Sequence, residues 1–138
     1  MFRIILSLFL FSFTLSGCNT KSTNDFAQDQ LTVKSESPLG AFLANSNKSA
    51  VLKFYADWCS TCKSYEPVFN KISAEYKDKV DFYSIDVDKP EYKNLIKQLK
   101  ISRIPETVFV NQDRTSVVKK LGAIRRKKLE AIVLSQLD

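Results

Sequence analysis

Residues 50–63 read AVLKFYADWCSTCK: seven mostly apolar residues, a short polar break, then two cysteines separated by Ser60 and Thr61. The β-branched and aromatic run is the pattern of a buried strand. The next segment, CKSYEPVFNKISAEYKDK, carries Tyr65, Phe69, Ile72 and Tyr76 at spacings of three and four, which makes one apolar stripe along a helix. Pro67 falls inside that helix and predicts a kink. The cysteine pair therefore sits where a strand hands over to a helix.

Working outward, SPLGAFLANSNK opens with Ser37 as N-cap and Pro38 at the first helical position, so a short helix precedes the strand. VDFYSIDVD predicts another strand and KPEYKNLIKQLK another helix. ETVFVNQDRTSVVKKLG has two apolar runs about NQDR, the pattern of an antiparallel hairpin, and RRKKLEAIVLSQL closes as an amphipathic helix. Strand, helix, strand, helix, hairpin and helix in that order predict an α/β domain with a central mixed β-sheet covered by helices on both faces. A further short strand is expected in QLTV, residues 30–33.

The N-terminus does not belong to that core. Residues 1–17 carry one charge, Arg3, followed by IILSLFLFSFTL. This apolar run is shorter than the ~20 residues a membrane span needs and suits the h-region of an export signal. It ends in LSGC, residues 15–18, which resembles the bacterial lipobox. That resemblance implies acylation of Cys18, a lipid anchor on the membrane and an extracytoplasmic, periplasmic-side location. Asn19, by the same resemblance, implies the outer membrane where the host has one. Residues 18–35 are polar and read as a tether, leaving residues 36–138 as the folded domain.

Removing residues 1–17 takes away Arg3 and lowers the formal charge from +6 to +5. That excess suits an anionic membrane surface, an acidic partner or a solvated basic face. An export signal removes nucleic acid from consideration.

Three readings of Cys59 and Cys62 compete. As a staple, a bridge closing so short a loop contributes only about 2 kcal/mol in the chain-entropy model, against about 3 for 15 residues. As a structural metal site it lacks ligands, because the chain has no His and only one further Cys. As a redox couple it is well placed: backbone N–H groups and the dipole at a helix N-terminus stabilise a thiolate, drawing its pKa from about 8.5 toward 7 or below. The chemistry then needs no metal and no cofactor. Cys59 attacks a substrate disulfide, and Cys62, one turn along, resolves the mixed disulfide.

With these residues in view, the chain resembles the thioredoxin family. FYADWCSTCK is similar to the family's strand, loop and helix; Pro67 matches its helix proline, RIPET its cis-proline loop, and LGAIRRKKLEAIV its glycine and final helix. YADWC followed by CK is similar to exported reductases, including the C-terminal domain of the transmembrane thiol-disulfide reductase. The resemblance implies a monomeric oxidoreductase acting on protein disulfides and drawing electrons from a membrane donor. It implies a cis Ile104–Pro105 bond, a Trp58 that shields the site, and a substrate segment laid along the backbone of Ile104. The same chemistry run as oxidant or isomerase, and a polypeptide-binding module with little turnover, are the alternatives.

One position departs from the family. Six residues before the nucleophile, where thioredoxins usually bury an acid, stands Lys53; the family's neighbouring lysine aligns with Phe82. The usual carboxylate–lysine arrangement is therefore expected to be missing. Lys53 either extends along the strand end to solvent as a spectator or lies beneath Cys62 as a partly buried amine.

Overall fold

The computed structural model describes residues 37–137, so the signal, Cys18, the tether and the QLTV strand lie outside the described residues. The elements run α1 (Pro38–Phe42), β1 (Ser49–Tyr55), α2 (Ser60–Tyr76), β2 (Val80–Asp86), a 3₁₀ turn (Pro90–Tyr92), α3 (Lys93–Gln98), β3 (Glu106–Val110), β4 (Val117–Leu121) and α4 (Arg126–Leu134). The four strands form one mixed sheet in the order β2-β1-β3-β4. β1 is parallel to β2 and antiparallel to β3, and β3 forms the expected hairpin with β4.

Helices cover both faces, which is why β1 is buried almost end to end rather than alternating. Leu52 and Phe54 point into the core under α1 and α3, with Leu39, Leu95, Leu99 and Val108. Val51 points the other way, into a core built by Tyr65, Phe69 and Ile72 of α2 with Leu129 and Val133 of α4. The 65-69-72 stripe is thus the buried face of α2, and the helix continues through Pro67 to Tyr76.

Local chemistry sets several boundaries. Ser37 caps α1 by accepting the Gly40 N–H at 3.0 Å, with Pro38 in the first turn as expected. The predicted helix at residues 89–100 divides into the 3₁₀ turn and α3, and it ends with Lys100 at a φ of 50°. There the Ile101 N–H reaches back to Ile96 O at 3.0 Å, closing the helix in the manner a glycine usually does. Arg114, in the hairpin loop, donates to the carbonyls of Ser46 and Lys48 at 2.8 Å each and ties that loop to the start of β1.

Candidate active site

The dithiol stands at the C-terminal end of the central strand because β1 stops at Tyr55 and the chain turns at once into α2. The Cys59 N–H bonds to Ala56 O at 3.1 Å, closing that turn. Cys59 is the N-cap of α2, and its Sγ accepts the backbone N–H of Cys62 at 3.2 Å. Cys59 and Cys62 are disulfide-bonded, with their Cα atoms 5.2 Å apart. Cys59 is 8% exposed and Cys62 3%. Together with Ala56 they form a small apolar cluster flanked by Tyr55, Val87 and Ile104.

The cap geometry has a direct electrostatic consequence. A sulfur at the N-cap faces one of the unpaired donors of the first turn, so a thiolate formed there on reduction accepts an N–H that is already in place. Among the described residues no group of three or more His, Cys, Asp or Glu is placed to hold a metal ion.

The other wall comes from β3. The Ile104–Pro105 bond is cis, Pro105 is buried, and half-buried Ile104 packs against the cysteine pair. The Pro105 carbonyl accepts the N–H of Gly122 at 2.7 Å, which brings the end of β4 alongside the proline loop. Gly122 takes a φ of 87°, a conformation that favours glycine. Trp58 is 70% exposed and its Nε1 donates to Asp88 Oδ2 at 2.8 Å. It therefore stands exposed, directly before Cys59 in the chain, and is no part of the core.

Of the two readings of Lys53, the structure shows the buried amine. Its side chain does not run out to solvent: it is 1% exposed, with Nζ 4.8 Å from the centre of the Phe69 ring and 5.1 Å from that of Tyr55. The carboxylate of Glu66 comes within 3.9 Å of it. A carboxylate–lysine pair is thus present, with lysine on the strand and acid on the helix. Burial lowers the Lys53 pKa below its usual 10.5, and Glu66 opposes that in part. Phe82, at the position of the family's lysine, packs edge-on against Phe69 with ring centres 5.7 Å apart. Glu66 was not singled out in the sequence; its signal was the i+4 spacing from Cys62 on α2. Tyr65 was read only as apolar stripe, but its hydroxyl also shares a buried 3.1 Å hydrogen bond with Thr107, the cross-strand neighbour of Lys53.

The thioredoxin family model matches residues 30–135. This chain belongs to the thioredoxin family. Thioredoxin from Borreliella burgdorferi is 30% identical over 87 residues, covering 63% of this chain and 72% of that one. The chloroplastic thioredoxin-like protein HCF164 of Arabidopsis thaliana is 31% identical over 85 residues, 62% of this chain but only 33% of that longer one. Among solved structures, the germline-specific thioredoxin Deadhead of Drosophila melanogaster superposes with a TM-score of 0.58 at 30% identity, over 69% of this chain and 87% of its own. Chloroplastic thioredoxin z shares the fold at a TM-score of 0.62 and 22% identity, over 72% and 89% of the two chains. With its CxxC pair bonded at the head of α2, this thioredoxin-like protein is a thiol-disulfide oxidoreductase.

Proposed function

We propose that this thioredoxin-like protein is a membrane-anchored, extracytoplasmic oxidoreductase that runs mainly as a reductase of protein disulfides. The observation that carries the reductase chemistry is the Cys62 N–H aimed at Cys59 Sγ, because it favours the thiolate at the attacking sulfur. The anchor rests on the LSGC sequence at Cys18 and on the apolar run before it. The Ser60–Thr61 spacer contains no histidine, which the strongly oxidising relatives carry between their cysteines.

An extended substrate segment pairs along the Ile104 backbone with its disulfide over Cys59. Cys59 thiolate attacks one substrate sulfur; that S–S bond breaks, and the other substrate sulfur leaves as a thiolate. Cys62 thiolate then attacks Cys59 Sγ, releases the first substrate sulfur and closes Cys59–Cys62. The substrate gains two electrons and the dithiol loses two. A donor dithiol in the membrane, such as that of a transmembrane disulfide reductase, restores the reduced pair.

Trapping the native redox state in cells by alkylation, together with the potential of the Cys59–Cys62 couple, tests the direction. A pair held mostly reduced in the cell supports the reading; a pair held oxidised, with a potential near that of strong oxidants (about −120 mV), assigns the oxidant role instead. The anchor is tested by mass spectrometry of the N-terminal peptide from the membrane fraction, where an unmodified Cys18 removes it. Full function retained in Cys59→Ser assigns the polypeptide-binding role.

A further inference from the structure

At the turn between β4 and α4 lies a hollow of about 640 Å³ lined by Lys120, Arg125, Arg126, Lys127 and Lys128. Its floor is apolar, from Leu121 and Ile124. No acidic residue lines it. Of the five cations only Arg126 is neutralised, by a two-pronged hydrogen bond to Glu75 at 2.9 and 3.1 Å. Among the described residues, Lys120, Arg125, Lys127 and Lys128 have no side-chain partner.

Apart from the Arg126–Glu75 pair, the described residues give no local partner for these cations. Arg125 occupies the N-cap of α4 without making a cap hydrogen bond, and the first turn contains no acid. A helix start favours Ser, Thr, Asp or Asn at the cap and negative charge in the first turn, so four consecutive cations at its positive end act against folding stability. An anionic occupant would offset that repulsion.

A chain of contacts links the hollow to the proline loop. Gly122, between the lining residues Leu121 and Ala123, is bonded to Pro105 O at 2.7 Å, and Ile104, next to Pro105, packs against the cysteine pair. At Trp58 there are carboxylates instead: exposed Asp57 precedes it, and Asp88 accepts the indole N–H at 2.8 Å. Two carboxylates thus stand at Trp58, and four unpaired cations stand at the β4–α4 turn.

We propose that the β4–α4 hollow is a substrate-selecting surface that takes the acidic flank of an extended polypeptide whose disulfide lies over Cys59. The proposal rests on the oxidoreductase reading above and adds to it the chemical class of the substrate. Opposed charges steer encounter and fix the direction in which the segment lies across the dithiol.

The test uses reduced full-chain protein and disulfide-linked peptides with one central cysteine. Three Asp, three Asn or three Lys are placed on one side of that cysteine, N-terminal and C-terminal in turn. One of the two Asp arrangements is expected to react about tenfold faster than its Asn counterpart at low ionic strength, with Lys slower than Asn. The preference falls below about threefold at 0.5 M salt, where screening reaches only a few ångström. It falls likewise in Lys127→Glu/Lys128→Glu. That variant places acids in the first turn of α4, so its Tm is expected to rise while its selectivity drops, a pairing that a damaged fold does not produce. Equal rates for the Asp, Asn and Lys peptides overturn the proposal and leave the oxidoreductase reading standing. Failure to reduce any of the peptides overturns both. Binding of the same cations to phosphatidylglycerol vesicles without peptide preference reassigns the surface to the membrane and overturns it as well.

Discussion

The Lys53 ammonium lies 3.9 Å from the Glu66 carboxylate, so a strand lysine and a helix acid meet where the family usually joins a strand acid to a strand lysine. Glu66 is one turn beyond Cys62, which sets the amine against the part of α2 that follows the buried cysteine. The ring contacts with Phe69 and Tyr55 keep that amine in a partly desolvated setting.

Where the Lys53 ammonium acts on the Cys62 sulfur, a charged amine favours the thiolate state of the pair over the disulfide, because only the reduced form carries negative charge. Such an interaction is worth about 1–2 kcal/mol, and about 30 mV corresponds to 1.4 kcal/mol for two electrons. Lys53→Met is therefore expected to lower the reduction potential by roughly 20–45 mV, read against a glutathione buffer. An unchanged potential with slower resolution of the mixed disulfide would assign Lys53 as a neutral proton acceptor; no change in either makes it a spectator.

Burial depresses the Lys53 pKa below 10.5, and this gives a signed pH dependence. Between the depressed folded value and 10.5 the unfolded chain holds a proton that the folded chain has released, so stability rises with pH across that window. Below it the penalty of the buried charge is fully present. The stability gained by Lys53→Met, measured by urea unfolding of the oxidised protein, is expected to be largest at neutral pH and to shrink as pH approaches 10.5. Buried Tyr65, whose pKa is raised, acts in the opposite direction above pH 10 in both proteins and cancels in the difference. A pH-independent difference would rule out Lys53 as the titrating group.

Cys59 is the more exposed sulfur and the one that faces the Cys62 N–H. Alkylation of the reduced protein near pH 7 is expected to label Cys59 first. Cys62→Ser should accumulate mixed disulfides with substrates, and Cys59→Ser should not. Preferential labelling of Cys62 reverses the two roles.

At 70% exposure Trp58 contributes little to the core, and its indole, directly before Cys59 in the chain, is fixed by Asp88. Trp58→Ala is expected to change stability by no more than about 0.5 kcal/mol, the usual range for a surface site. Its effect should appear in catalysis, as a several-fold rise in KM for protein disulfides. Thermal unfolding and steady-state kinetics on one preparation separate these; a loss of stability above 2 kcal/mol would mark Trp58 as structural.

Much of this molecule is written locally. The run Ala50–Tyr55 is apolar enough to be a buried strand, Ser37–Pro38 starts a helix by its own cap chemistry, and the 65-69-72 spacing selects the buried face of α2. The placement of Cys59 at a strand-to-helix junction follows from those neighbours alone, and with it the reading of the pair as a redox couple. Trp58, Pro105 and Gly122 are legible as motif positions.

What a one-dimensional reading left open depends on which surfaces meet. Whether Lys53 reached water was undecided, because a lysine in a buried strand either extends along the strand end or folds under the covering helix; the packing of α2 on β1 settled it, with Phe69 and Glu66 closing over the amine. Glu66 reads as an ordinary solvated helix acid until the strand beneath it is known. The basic run Arg125–Lys128 reads as a solvated face until the Gly122 N–H to Pro105 carbonyl bond ties the end of β4, three residues before that run, to the proline loop. Backbone conformation and amphipathic period are properties of neighbouring residues, and sequence carries them; charge juxtaposed across elements is a property of the packed sheet and helices, and only the tertiary structure holds it.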